Sequence, residues 1–216
     1  MTYTGQVTPG GPPAARELAD LTITKLSVGP MDNNAYLLRC HRTGEQLLID
    51  AANEPDRLLE LVGDRGLATV VTTHRHQDHW VGLADVLEAT GAESVAHPAD
   101  AAELPTVTRT VEDGGTVRVG ECELSVIHLV GHTPGSIALR YDDPTGHPHL
   151  FTGDSLFPGG PGRTTGDDDF DSLMADLQNK VFDRLPDETW FYPGHGNDST
   201  LGTERPAIPE WLARRW

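Results

Sequence analysis

Three imidazoles and a carboxylate crowd into His74-Arg75-His76-Gln77-Asp78-His79, and a fold for this chain has to give them a common focus. In an extended segment alternate side chains share a face, so His74 and His76 can converge on one point. Asp78 and His79 are adjacent and are better placed to hold a second point nearby. Imidazole and carboxylate together suit zinc, iron or manganese rather than calcium or magnesium. A solvated polar loop would account for one such histidine, but not for this spacing.

The flanks say where the stretch sits. Ala68 to Thr72 is a short run rich in β-branched residues, which predicts a strand. Trp80, Leu83, Val86 and Leu87 follow at helical spacing, and Gly91 supplies a stop. The ligand loop therefore joins a strand end to a helix start, and rigid elements on both sides pre-position it.

Three further segments end strands on glycine-flanked ligands: Gly131-His132-Thr133-Pro134-Gly135, Thr152-Gly153-Asp154 and Pro193-Gly194-His195-Gly196. Loops at strand ends are where sites are built. The count becomes five histidines and two aspartates. A tetrahedral zinc takes four ligands, so seven exceed one site and point to two metals. Asp154 is the natural bridge, because a carboxylate offers two oxygens. Histidines 41, 97, 128, 147 and 149 are read as structural or exposed.

The rest of the chain predicts a mixed architecture. Residues 1–19 are rich in Gly and Pro and are expected to form a flexible arm, with one domain over 20–216. Strands are expected at 21–28, 35–40, 46–50, 94–96, 116–119, 123–129, 137–141, 149–152 and 189–192. Helices are expected at 54–65, capped by Asn53, at 170–185 behind Asp167–Asp169, and at 206–214. Strand and helix are balanced without a clean βαβ alternation, which indicates an α+β or layered α/β domain with mixed sheets.

Charge narrows the partners. Asp plus Glu number 33 against 16 Lys plus Arg, a formal charge of −17, and only Lys25 and Lys180 are lysines. Such a chain should repel nucleic acid and anionic membranes, and its acidity is read as a solubility feature. Cys40 and Cys122 are the only cysteines, no stretch reads as a secretion signal or membrane span, and the expectation is a cytoplasmic protein with two free thiols.

Taken together, His74-x-His76-x-Asp78-His79, Gly131-His132-Thr133-Pro134-Gly135, Thr152-Gly153-Asp154 and Pro193-Gly194-His195 resemble the metallo-β-lactamase superfamily over about residues 20–205. The resemblance implies a four-layer αβ/βα sandwich of two mixed β-sheets. It implies His74, His76 and His132 on one metal, Asp78, His79 and His195 on a second, and Asp154 bridging. The metals would be two divalent transition ions, zinc first, with iron or manganese as alternatives. The segment Phe151–Thr164 is most similar to the glyoxalase II (hydroxyacylglutathione hydrolase) group. The C-terminal helical domain of that group has no counterpart before Trp216, so the thiol carrier stays open.

The expected function is hydrolysis of a small-molecule acyl thioester through a metal-bridging hydroxide. Asp78 would orient the nucleophile and accept its proton. Arg163 is a candidate for binding a substrate carboxylate, or else for a salt bridge to Asp167–Asp169. The chief rival is a mononuclear-iron persulfide dioxygenase of the same fold, using the positions of His74, His132 and Asp154. A lactonase and a non-catalytic metal-binding protein complete the alternatives.

Overall fold

The computed structural model describes residues 3–215 of the chain. Residues 1, 2 and 216, the outer ends of the expected arm and domain, lie outside the described residues. The first sheet contains β1 (Ala14–Glu17), β2 (Leu21–Val28), β3 (Asn33–Cys40), β4 (Gln46–Ile49), β5 (Thr69–Val71), β6 (Glu93–Ala96) and β7 (Arg109–Thr110), side by side in chain order. Pairing is antiparallel from β1 to β4 and parallel from β4 to β7. Helices α1 (Pro55–Val62), α2 (Leu83–Thr90) and α3 (Pro98–Ala101) occur within the crossovers that parallel pairing requires.

The second sheet comes from the other half of the chain. It contains β8 (Thr116–Val119), β9 (Cys122–His128), β10 (Ile137–Asp142) and β11 (Pro148–Gly153). A small ribbon of β12 (Leu156–Phe157) and β13 (Gly160–Pro161) follows, then α4 (Asp167–Asp176). The sheet is completed by β14 (Trp190–Pro193) and β15 (Ser199–Thr200), and α5 (Leu201–Glu204) and α6 (Ile208–Arg214) end the chain. The spatial order is β15-β14-β11-β10-β9-β8.

Strand parity builds the layers. In β2, Leu21 and Ile23 face the second sheet, and with Leu38, Ile49, Val126, Leu139 and Phe151 they form the core between sheets. Leu26 and Val28 have the opposite parity and pack with Leu48 and Val70 against Leu58 and Val62 of α1 and Leu83 and Val86 of α2. On the far side, Leu150 and Phe191 pack under Phe170, Leu173 and Trp211. The result is the expected four-layer αβ/βα sandwich. A fully buried Leu or Ile contributes about 1.5–3 kcal/mol, so all three interfaces matter to stability.

Several local expectations change. Within the segment read as an arm, Ala14–Glu17 forms β1 and pairs with β2, because that edge of β2 still has free backbone groups. Asn53 does not cap α1 in the expected way. Its Oδ1 accepts the N–H of Glu54 at 2.8 Å, and Glu54, at φ 49°, is the residue that leads into the helix. Asp167–Asp169 are the first turn of α4 rather than a prelude to it. That helix widens into π-helical turns over Leu177–Phe182. Its apolar residues recur every fourth position (173, 177, 181, 185), which outruns the 3.6-residue repeat, and a wider turn keeps them on the sheet. Cys40 and Cys122 are both free and buried. Among the described residues no helix is long and apolar enough to cross a membrane.

Candidate metal centre

Pairing directions bring the ligand loops together. β9 and β11 each pair antiparallel with β10, and β11 pairs parallel with β14, so β9, β11 and β14 all run the same way. Their C-terminal ends release His132, Asp154 and His195 at one edge of the second sheet. At the facing edge of the first sheet, β5 releases His74, His76, Asp78 and His79, the last two in a single 3-10 turn, Gln77–His79. An isolated bridge between Asn33 and His195 joins the two edges.

The seven side chains form two overlapping clusters. His74 Nε2 lies 3.1 Å from His76 Nδ1 and 3.3 Å from His132 Nε2. His79 Nε2 lies 3.2 Å from His195 Nε2 and 3.5 Å from Asp78 Oδ2, and the last two atoms are 3.3 Å apart. Asp154 stands between the clusters. Its Oδ2 is 3.6 Å from His132 Nε2 and 3.4 Å from His195 Nε2, and its Oδ1 is 3.3 Å from His79 Nε2. Tetrahedral ligands on bonds of 2.0–2.1 Å sit about 3.4 Å from one another. The spacings therefore match donors arranged around a metal. Asp154 Oδ1 is also buried without a hydrogen bond, as a ligand oxygen would be.

The other ring nitrogens are already committed. His79 Nδ1 meets Asp50 Oδ2 at 2.9 Å, His132 Nδ1 the Arg163 carbonyl at 2.7 Å, and His195 Nδ1 the Met31 carbonyl at 2.9 Å. In the neutral ring each such contact keeps the proton on Nδ1, so that Nε2 is the nitrogen with a lone pair to offer the cluster. Asp50 also accepts from Thr73 N at 2.7 Å and Thr73 Oγ1 at 2.8 Å, which sets the start of the ligand loop. Asn33 Nδ2 donates to Asp78 Oδ2 at 2.8 Å. Asp100, wholly inside, ties two ligand loops together by accepting from Arg75 N, Thr133 Oγ1 and Gly135 N. The sequence reading missed Asp50, Asn33 and Asp100. Only Asp50 carried a signal, an apolar strand ending on a carboxylate.

Glycine makes the close approach possible. A Cβ on Gly194 would collide with Asp154 Oδ1 and lie 2.7 Å from His79 Cε1. No side chain fits there while the carboxylate stays between the clusters.

Burial and charge divide the titrating groups. Burial pushes His74 and His132 below the ordinary imidazole range. Burial also works to lower His79, but the carboxylates of Asp154 and Asp50 outweigh it and hold that ring well above. Against burial, Asp154 and Asp78 lift His195 to about 10. The hydrogen bond with His195 holds Asp78 well below the carboxylate range, although burial opposes it. Burial would raise Asp154, yet His79 and His195 keep it low. Two close carboxylates demand positive charge, and either protons or metal ions can supply it.

Arg163 lies at the rim. With His76, His132, Thr164 and Thr165 it lines a cleft of about 280 Å³. The expected salt-bridge alternative does not form: Arg215 takes Asp167 at 3.1 Å and Asp171 at 2.9 Å, and the Arg163 guanidinium makes no ion pair among the described residues. Histidines 41, 97, 128, 147 and 149 lie outside both clusters; His97 and His128 stack on each other at 3.8 Å.

A family model described as the metallo-beta-lactamase superfamily matches residues 28–195, more than half of the sequence. The chain belongs to the metallo-β-lactamase superfamily. Among superfamily relatives, a hydroxyacylglutathione hydrolase from a Polaromonas species is 38% identical over 166 residues. The match covers 76% of this chain and 62% of the relative, so the chain spans about three fifths of that protein. The crystal structure of ETHE1 from Myxococcus xanthus superposes with a TM-score of 0.77 at 31% identity, covering 87% of this chain and 83% of that one. That of TTHA1623 in a di-iron-bound form superposes at 0.70 with 35% identity, covering 84% and 96%.

Proposed function

We propose that this chain is a metal-dependent hydrolase of an acyl thioester, working with two divalent transition metals, zinc first. The observation that carries the reading is the pair of donor clusters sharing Asp154. His74, His76 and His132 would hold one ion, Asp78, His79 and His195 the other, and Asp154 both. A di-iron form of a relative 35% identical and the hydroxyacylglutathione hydrolase relative support it. When bound, such ions lower the pKa of water to about 7 and stabilise developing oxyanion charge.

The residues of the chain supply the rest. Asp78, held by Asn33 through one oxygen, orients the attacking water and takes its proton. Asp50 and the Arg163 and Met31 carbonyls keep the imidazoles from turning, so the donor geometry is preorganised. The exposed guanidinium of Arg163 offers a bidentate site for a substrate carboxylate. A thiolate leaves readily without first being protonated, so thioester cleavage does not require a general acid.

Metal analysis together with two assays tests this. The expected result is about two metals per chain, thiol release from acyl thioesters without oxygen, and no oxygen uptake with glutathione persulfide. Asp154→Ala should lose both metal and activity, whereas His41→Ala should keep both. A single iron with persulfide-dependent oxygen uptake would establish the dioxygenase reading instead, to which the ETHE1 likeness gives a structural precedent.

A further inference from the structure

The His195 loop is fastened on both sides, by β3 on each and by β2 on the C-terminal side alone. On the N-terminal side, the Pro193 carbonyl accepts from Tyr36 OH at 2.6 Å and Asn34 Nδ2 at 2.9 Å, and the Gly194 carbonyl accepts from Asn34 N at 2.7 Å. Those contacts all come from β3. On the C-terminal side, the Gly196 carbonyl accepts from Asn34 Nδ2 at 2.9 Å and from Lys25 Nζ at 2.6 Å. Lys25 is one of two lysines in the chain, and it is fully buried on the inward face of β2.

Lys25 has no spare capacity. An ammonium has three donors, and Nζ reaches Gly196 O, Asp198 Oδ1 at 2.6 Å and Gly5 O at 2.8 Å. Asp198 is equally committed. Its Oδ2 accepts from Tyr3 OH at 2.8 Å and Trp190 Nε1 at 3.0 Å. The N-terminal segment thus seals the ion pair with one carbonyl and one phenol. Gly5, at φ 72°, packs so closely that a Cβ would overlap the Asp198 side chain. Tyr3 leans against Trp190 and Tyr192, with ring centroids 6.1 and 6.4 Å away.

A buried ion pair is a poor way to add stability, since apolar residues of the same volume often do as well. What it supplies here is directional restraint, because each of its atoms is aimed at one place. One of those places is the peptide next to His195, whose Nε2 lies 3.2 Å from His79 Nε2. We propose that Lys25 and Asp198 are positioning residues for His195, and that Tyr3–Gly5 is a latch that holds them, so the N-terminal segment tunes the second metal position and not the first. This rests on the two-metal reading above. The first cluster, His74, His76 and His132, touches none of these groups in its hydrogen bonding.

The test is a zinc titration of the full chain against a chromophoric chelator, read as two separate affinities. Variants are Tyr3→Phe, Lys25→Met and Asp198→Asn, with Leu58→Ala as a core truncation remote from the His195 loop. Altering a partner that orients a ligand weakens metal binding about 10–100-fold. The expected result is a loss of about 10-fold or more at the second site in Lys25→Met and Asp198→Asn, and a smaller loss in Tyr3→Phe, with the first affinity unchanged. Leu58→Ala should lower the melting temperature without separating the two affinities. If Lys25→Met and Asp198→Asn do not fold, Tyr3→Phe decides, because it removes one hydroxyl. Two equivalents bound by the wild type, with both affinities falling together or neither moving in the variants, overturns the latch alone. A wild type that takes up one equivalent overturns the two-metal reading and the latch with it.

Discussion

His79 and His195 stand in a different protonation regime from His74 and His132, and the difference has a measurable consequence. A ring nitrogen must lose its proton before it can bind a metal. The carboxylates lift His195 to about 10, so at neutral pH a metal has to displace a proton there. Burial has already stripped His74 and His132. Acidification from pH 8 to pH 6 should therefore empty the position served by His79 and His195 first. Dialysis across that range followed by metal analysis should show occupancy falling from two towards one before it falls to none. Parallel loss of both metals would contradict the assignment. The same shift has a sign for the metal-free protein. The His195 value lies above that of an unfolded histidine, so its stabilisation is full below about pH 6.5 and is lost as pH rises through about 10.

Elements were legible where a long pattern spoke for them. The strand at β2, the hairpin strand at β3, the strand before the ligand loop and the helix stop at Gly91 all followed from local rules. The two-residue strands β7, β12, β13 and β15 carry no periodic signal, and β1 exists only because an edge was open to it. The seven candidate ligands could be picked out because four crowd into six positions after a strand and the other three sit beside glycines at strand ends. Their supports could not. Lys25 showed its parity in the sequence, but its partner Asp198 is 173 residues away. Gly194 shows how an element's end can decide the chemistry. Gly194→Ala should fold, since the position lies on a strand-end loop, yet the added methyl must push Asp154 or His79 aside. Far-ultraviolet circular dichroism should stay near wild type while metal content, and with it the proposed hydrolysis, drops by at least about 10-fold. Retention of both would mean that the carboxylate has room to move.

At the scale of the molecule, the sheets divide the chain almost without interleaving. Residues 14–110 make the first and 116–200 the second, apart from the β12–β13 ribbon and the helices, which stay with their own half. The donors divide likewise: His74, His76, Asp78 and His79 come from one half, and His132, Asp154 and His195 from the other. Neither half holds enough of them to close a site alone. Each ion would then be a rivet through two plates, and the apolar face between the plates would be the glue. Cutting the chain at Asp113–Gly114 turns this into an experiment in reassembly. The two fragments, produced together, should associate in zinc and come apart when a strong chelator removes it. Binding to the joined form alone can shift that equilibrium by about 2.7 kcal/mol at a hundredfold excess over the dissociation constant. Association that ignores the chelator would show that the glue suffices. Dissociation would mean that the ions which serve the reaction also decide whether the molecule is one object or two.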